Sequence, residues 1–142
     1  MAYTKVDGVR IYYEEAGENG LPLLLIHGAA QDTLSWRFNI PDLNRYFHVY
    51  AIDLPGHGKS QLDPSGPIDD LETYAVYAEK FMDNMNCRQY VVAGHSMAGG
   101  IALYMALHRP ESVLLAVLVD GACCTSGTYG DDVFELVSLN PT

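Results

Sequence analysis

A serine within a run of small residues is the strongest candidate for chemistry in this sequence. Ser96 lies in residues 91–100 (VVAGHSMAGG), where an apolar stretch passes into glycine and alanine. A serine on a sharp turn between a strand and a helix has an exposed hydroxyl, and the first amides of the helix point towards it. Such amides stabilise an oxyanion, so the pattern indicates a nucleophilic serine. The alternative is a glycine-rich turn with an idle serine.

The elements that position Ser96 alternate between strand-like and helix-like stretches. Continuous apolar runs predict strands buried on both faces, and steps of three and four predict helices. The predicted strands are Val9–Glu15, Leu21–His27, His48–Leu54, Gln89–Ala93 and Val113–Val119, and the predicted helices are Asp70–Met85, Met97–His108 and a weaker stretch, Trp36–Phe47, in which Pro41 marks a break or a start. This alternation predicts an α/β fold with a mostly parallel sheet flanked by helices.

Both ends of the predicted architecture carry specific expectations. Asp69 and Glu72 have the spacing of a capping box at the start of the helix Asp70–Met85. After Asp120 the sequence becomes small and polar, and no further apolar strand follows Val113–Val119. That strand therefore presents a long hydrophobic edge, which favours self-association or exchange of elements between chains.

Three ordered segments make the chain recognisable. Residues 23–29 (LLLIHGA), 53–60 (DLPGHGKS) and 94–100 (GHSMAGG) resemble the α/β-hydrolase superfamily, in the branch of esterases, C–C bond hydrolases, haloperoxidases and dehalogenases. The likeness extends to residue 122. It implies that residues 1–122 form the N-terminal part of a hydrolase core that lacks the last strands and the cap, and that residues 123–142 begin a cap or linker region.

The resemblance also implies the site residues. Ser96 would be the nucleophile, and the backbone amides of Ala29 and Met97 would form the oxyanion hole. It implies no cofactor and no metal, and a small-molecule ester or other acyl substrate. Carboxylic-ester hydrolysis is the default reaction, because it needs only a nucleophile, an oxyanion hole and a base.

The histidines depart from the family pattern, in which the order is serine, acid, histidine. No histidine follows His108 in the sequence. His48 and His108 are predicted to lie far from Ser96, and His95 on the opposite face of its strand. His27 and His57 lie on loops near the site, where the resemblance implies that they hold loops. The sequence therefore shows no obvious general base.

Two aspartates end predicted strands. Asp120 is a weak candidate for the catalytic acid, and the alternative is a polar residue that closes a buried strand. The resemblance implies a structural role for Asp53, in shaping the loop that follows it. Residues 58–60 (GKS) look like the end of a phosphate-binding loop, but Asp53 occupies the place of the required first glycine and puts a negative charge there.

Composition excludes other function classes. The 142 residues include 18 acidic and 8 basic side chains, a net charge of −10, which disfavours binding to nucleic acid. The apolar run Leu21–Ile26 is far shorter than the roughly 20 residues of a membrane-spanning helix, and no secretory signal is recognised. Cys87, Cys123 and Cys124 fit neither a disulfide framework nor a zinc site, which indicates a cytoplasmic protein.

Two functional hypotheses remain open at this point. The first is a serine hydrolase in which a complementing C-terminal half supplies the histidine and the acid. The second is a truncated or non-catalytic hydrolase-like protein that binds a small apolar acyl ligand.

Overall fold

The computed structural model describes residues 2–121, which form one sheet with helices on its faces. The strands are β1 (Ala2–Val6), β2 (Val9–Ala16), β3 (Leu21–Ile26), β4 (Phe47–Ile52), β5 (Tyr90–His95) and β6 (Val113–Val119). The helices are α1 (Ile40–Leu43), α2 (Leu71–Asn84) and α3 (Met97–His108), and a 3-10 turn spans Thr33–Trp36. In residues 2–121, no helix is both long and apolar enough to cross a membrane.

The six strands lie in the order β1-β2-β4-β3-β5-β6. β1 and β2 are antiparallel to each other, β2 is antiparallel to β4, and β4, β3, β5 and β6 run parallel. This confirms the predicted α/β fold with a mostly parallel sheet flanked by helices. Because β3 and β5 are neighbours and their pairing ends at Ile26 and Gly94, the loops that follow them meet at one edge of the sheet.

Two apolar clusters cover the two faces of the sheet. Helices α2 and α3 pack on one face, where Phe81, Met82, Ile101 and Met105 are completely buried. Trp36, from the 3-10 turn, covers the other face with Leu23, Leu25, Val49, Ala51, Val91 and Ala93. Side chains from both faces of β3 and β5 are therefore buried, as their continuous apolar sequences predict.

The N-terminal region contains a strand that the sequence analysis does not predict. β1 pairs with β2 through a hairpin whose two turn residues, Asp7 and Gly8, have φ values of 49° and 81°. Positive φ at both positions suits Asp-Gly, the preferred turn for a two-residue hairpin.

The predicted capping box is wrong by one residue. Helix α2 begins at Leu71, and the side chain of Asp70 accepts a hydrogen bond of 2.6 Å from the backbone N–H of Thr73. Glu72 instead accepts a hydrogen bond from the hydroxyl of Tyr104 in α3. Asp70 thus caps the helix, and Glu72 joins two helices.

β6 differs from a strand buried on both faces. Leu114 and Leu115 are 50% and 58% exposed, and Val117 and Val119 are also exposed. Within residues 2–121, β6 pairs with β5 only and forms an edge of the sheet. The predicted hydrophobic edge is present in this part of the chain. The predicted division between residues 122 and 123 lies outside the described residues.

Candidate active site

Ser96 occupies a strained turn between β5 and α3. Its backbone has φ 54° and ψ −117°, a conformation that costs a non-glycine residue about 1–3 kcal/mol. Two hydrogen bonds hold the turn: the N–H of Ser96 donates to the carbonyl of Val119 (3.0 Å), and the N–H of Gly99 donates to the carbonyl of Ser96 (2.9 Å). The turn is therefore fixed both to β6 and to the first residues of α3.

Close backbone approaches explain the small residues around Ser96. A Cβ atom on Gly94 would overlap the carbonyl group of Ala98. A Cβ atom on Gly99 would lie 2.8 Å from the Cα of Gly121, which follows β6. Larger side chains at these two positions would force the strand, the turn and the helix apart.

The loop after β3 lies against the serine turn. A Cβ atom on Gly28 would lie 3.3 Å from both the Cβ of Ser96 and the carbonyl oxygen of His95. Ala29 follows directly and is exposed. Met97 is the first residue of α3, so its N–H has no acceptor within the helix. The structure thus brings Ser96, Ala29 and Met97 to the same end of the sheet.

His27 is built into the support of this loop. Its ring is completely buried, Nδ1 lies 2.7 Å from the carbonyl oxygen of Gly28, and Nε2 lies 3.0 Å from the backbone N–H of Leu54. Because a carbonyl only accepts and an N–H only donates, the proton resides on Nδ1 and the ring is neutral. Burial lowers the pKa of His27 below its usual value of 6.5. Both ring nitrogens are occupied, so His27 holds the loop and has no free nitrogen to act as a base.

Asp53 joins the loop after β3 to the loop after β4. It is 1% exposed, and its two carboxylate oxygens each accept a backbone hydrogen bond of 2.8 Å, Oδ1 from Thr33 and Oδ2 from Lys59. A buried carboxylate needs such partners, because an unpaired charge away from water is costly. Asp53 is therefore a structural residue in this geometry.

Two histidines lie away from the serine turn, as predicted. His48, near the start of β4, contacts Glu15 at 2.6 Å. His108, the last residue of α3, contacts the buried carboxylate of Glu79 at 3.0 Å.

The other two histidines lie nearer the site. The ring of His57 packs on that of His27 with centroids 4.9 Å apart, and its Nδ1 is 3.1 Å from the carbonyl of Pro55. His95 Nδ1 lies 3.2 Å from Oε1 of Gln31, beside the loop after β3. None of the five histidines, all of which fall within residues 2–121, forms a hydrogen bond with Ser96 Oγ in this part of the chain.

A cavity of about 600 Å³ opens beside the loop after β3. Ala30, Trp36, His95 and Val119 contribute to its walls, and Ser96 is adjacent to this lining but not part of it. Asp120 follows Val119, has φ 50° and is exposed. Among residues 2–121, no group of three or more histidine, cysteine, aspartate or glutamate side chains could hold a metal ion.

Gln31 is a residue of this region that the sequence analysis does not single out. Its side-chain oxygen lies within 3.1–3.3 Å of donors on Gly28, Ser35 and His95. Gly28 and Ser35 are near neighbours of Gln31 in sequence, but His95 is 64 residues away, so no local pattern marks the connection to β5.

Comparison with known proteins supports a family assignment. A sequence model of the alpha/beta hydrolase fold matches residues 22–136. The chain is 38% identical, over 117 residues, to the dihydrolipoyllysine-residue acetyltransferase component of the acetoin cleaving system of Cupriavidus necator, covering 82% of this chain and 31% of that protein. The chain spans between 19% and 43% of the length of eight curated relatives that it matches.

Two solved structures with 35% and 28% sequence identity to this chain share the fold. One, described as a membrane phospholipase A and bacterial virulence factor, is 35% identical with a TM-score of 0.81, covering 98% of this chain and 45% of that one. The other, Est816, described as an N-acyl homoserine lactone degrading enzyme, is 28% identical with a TM-score of 0.76, covering 84% of this chain and 45% of that one. The matched residues and the strand order agree with the resemblance seen in the sequence, and the chain belongs to the α/β-hydrolase fold family.

Proposed function

We propose that this chain supplies the nucleophile and the oxyanion hole of a serine hydrolase that cleaves carboxylic esters. The observation that carries the proposal is the turn at Ser96, whose positive φ, flanking glycines and contact with Gly28 present the serine at the start of α3. Strained backbone conformations of non-glycine residues cluster at active sites, which supports the proposal.

In this proposal, Oγ of Ser96 attacks the ester carbonyl carbon, and the carbonyl oxygen becomes an oxyanion. The N–H groups of Ala29 and Met97 donate to it, and each donor is worth roughly 3–4 kcal/mol of transition-state stabilisation. Collapse of the intermediate breaks the bond to the alcohol, which leaves with a proton. Water then attacks the acyl carbon, the bond to Oγ breaks, the carboxylic acid leaves, and a proton from the water returns to Oγ of Ser96.

The proton of Ser96 needs an acceptor. Within residues 2–121, the five histidines contact other groups or lie away from Ser96. We therefore propose that the base and its acid come from a further polypeptide segment, in a longer protein or in a complementing chain. Asp120 stays a secondary candidate for the acid, since it adjoins Val119, whose carbonyl binds the Ser96 N–H.

The substrate in this proposal is a small ester or acyl compound. The cavity of about 600 Å³ beside Ala30 and His95 has room for one, and similarity to an N-acyl homoserine lactone degrading enzyme supports acyl chemistry.

We also propose self-association through β6, on the basis of its exposed leucines and valines, and a cytoplasmic location, which the free thiol of Cys87 supports.

Hydrolysis of p-nitrophenyl esters of increasing acyl length tests the proposal. The protein, purified without denaturants so that bound polypeptides stay attached, should hydrolyse them, and Ser96→Ala should abolish the activity. Ser65→Ala is the matched control, because Ser65 is an exposed serine on a loop after β4. Unchanged hydrolysis by Ser96→Ala would refute the proposal.

The pH dependence separates this function from a non-catalytic hydrolase-like protein. A histidine base gives kcat/KM an inflexion near pH 6–7. Loss of a triad histidine costs on the order of 10⁶ in kcat and leaves slow turnover without that inflexion. A flat profile with turnover barely above background would favour a non-catalytic protein.

A further inference from the structure

The side-chain oxygen of Gln31 connects the two segments that meet at Ser96. It lies 3.1 Å from the N–H of Gly28, 3.2 Å from Nδ1 of His95 and 3.3 Å from Oγ of Ser35. Gly28 immediately precedes Ala29, and His95 immediately precedes Ser96. One exposed amide group therefore bridges the loop after β3 and the end of β5.

The partners determine which atom of the amide faces them. The backbone N–H of Gly28 only donates, so it fixes the side-chain oxygen of Gln31 at this point. The same oxygen only accepts, so Nδ1 of His95 carries a proton and donates it. The arrangement therefore makes a specific statement about the His95 ring that can be measured independently of any activity.

The bridge lies beyond the reach of the sheet. Pairing between β3 and β5 ends at Ile26 and Gly94, two residues before Gly28 and Ser96 respectively. The hydrogen bond between Gln31 and His95 continues the connection past this point. The distance between the loop and the serine turn then depends on a side chain as well as on the backbone ladder.

We propose that Gln31 is a positioning residue that sets the spacing between the amides of Ala29 and Met97. The inference rests on the proposed function of those amides as the oxyanion hole. Gln31 acts through Gly28 on one side and through His95 on the other, and it touches no reacting atom. Since catalysis depends steeply on such geometry, a small displacement of one donor lowers the rate of acylation.

The experiment compares Gln31→Met, Gln31→Glu and, as control, Gln89→Met. Methionine has a similar length and lacks a strong acceptor, and glutamate keeps an acceptor oxygen. Gln89 is an exposed glutamine just before the start of β5, at the end of the strand away from Ser96. The readouts are kinact and KI for reaction of the natively purified protein with a fluorophosphonate, and the NMR signals of the Gly28 amide and the His95 ring nitrogens.

We expect Gln31→Met to lower kinact about tenfold, which is less than the roughly hundredfold or greater cost of losing a donor. KI should stay within about twofold, because binding of the reagent is not affected. Gln31→Met should also shift the Gly28 amide signal and remove the preference for the Nδ1 proton on His95. Gln31→Glu should keep both NMR signatures, and Gln89→Met should leave kinact and both signatures close to those of the wild type.

Two results would overturn the inference while leaving the proposed function intact. In the first, the wild-type protein is labelled at Ser96 and Gln31→Met is labelled equally fast. The second is a slowing by Gln89→Met as large as that by Gln31→Met. If the wild-type protein shows no labelling at Ser96, the proposed function itself fails and the positioning role fails with it, whereas the NMR signatures still report whether the bridge exists.

Discussion

Asp53→Asn should destabilise the protein although it barely changes the shape of the side chain. Each carboxylate oxygen of Asp53 accepts one backbone N–H at 2.8 Å, from Thr33 and from Lys59. Asparagine replaces one oxygen with an NH₂ group, so either the buried N–H of Thr33 or the partly buried N–H of Lys59 loses its acceptor and faces another donor. Leaving a buried donor unsatisfied costs about 1–3 kcal/mol, and hydrogen bonds to a charged group are worth about 1.5–3 kcal/mol. We expect a loss of about 2–3 kcal/mol in the free energy of unfolding.

Urea unfolding followed by circular dichroism measures this loss, and Asp32→Asn is the matched control. Asp32 accepts a hydrogen bond of 2.8 Å from the N–H of Leu34 at the start of the 3-10 turn, on the surface of the same loop. Asparagine is as good an N-cap as aspartate, so this variant should stay within about 0.5 kcal/mol of the wild type. The reasoning is refuted if Asp53→Asn also stays within that range, or if the two variants lose equal stability.

Three further predictions follow from the fold. Gly94→Ala should lower the free energy of unfolding in urea by at least about 3 kcal/mol, because the new Cβ meets the Ala98 carbonyl. Gly8→Ala, where the space is open and φ is 81°, should cost about 1–2 kcal/mol, and equal losses would contradict the steric argument. His27 binds a proton more weakly in the folded than in the unfolded protein, so the free energy of unfolding should fall as pH drops below about 6.5, by up to about 1.4 kcal/mol per pH unit. His27→Asn should flatten this dependence in unfolding curves at pH 7.5, 6.5 and 5.5, and parallel pH dependences of the two proteins would refute the prediction. Light scattering should show self-association of the wild type, which Leu115→Lys on β6 should reduce and Leu107→Lys on α3 should not. A wild-type protein that stays monomeric at high concentration would rule out self-association through β6.

The parts of the fold that the sequence predicts are those with a strong local cause. β3 and β5 are continuous apolar runs because both faces of a central parallel strand are buried, and the turn at Ser96 is visible because Gly94 and Gly99 have no room for a side chain. The sheet itself follows from the alternation of strands and helices.

The features that were missed or misplaced have identifiable reasons. β1 is absent from the predicted strands, although Asp7-Gly8 between two alternating stretches is a hairpin signal. The predicted cap of α2 lies one residue early because Asp69 and Asp70 are both suitable, and only the geometry at Thr73 selects between them.

The candidate site shows the same division. Ser96 and the neighbouring loop could be proposed from motifs, whereas the tautomer of His27 and the bridge of Gln31 each need one partner distant in sequence, Leu54 and His95 respectively. Gln31 and His95 are 64 residues apart, and no local pattern predicts their contact. The sequence predicts that β6 is an edge strand but not which of its side chains are exposed, because the exposed fraction of each side chain depends on what packs against the sheet.

The most direct test of the central claim is the intact mass of the natively purified protein after incubation with a fluorophosphonate. The account predicts one adduct, mapped by peptide mass to Ser96 and absent from Ser96→Ala. An adduct that persists in Ser96→Ala would show that a different residue reacts. A wild-type protein that stays unmodified, under conditions in which a known serine hydrolase is fully labelled, would contradict the assignment of Ser96 as an activated nucleophile.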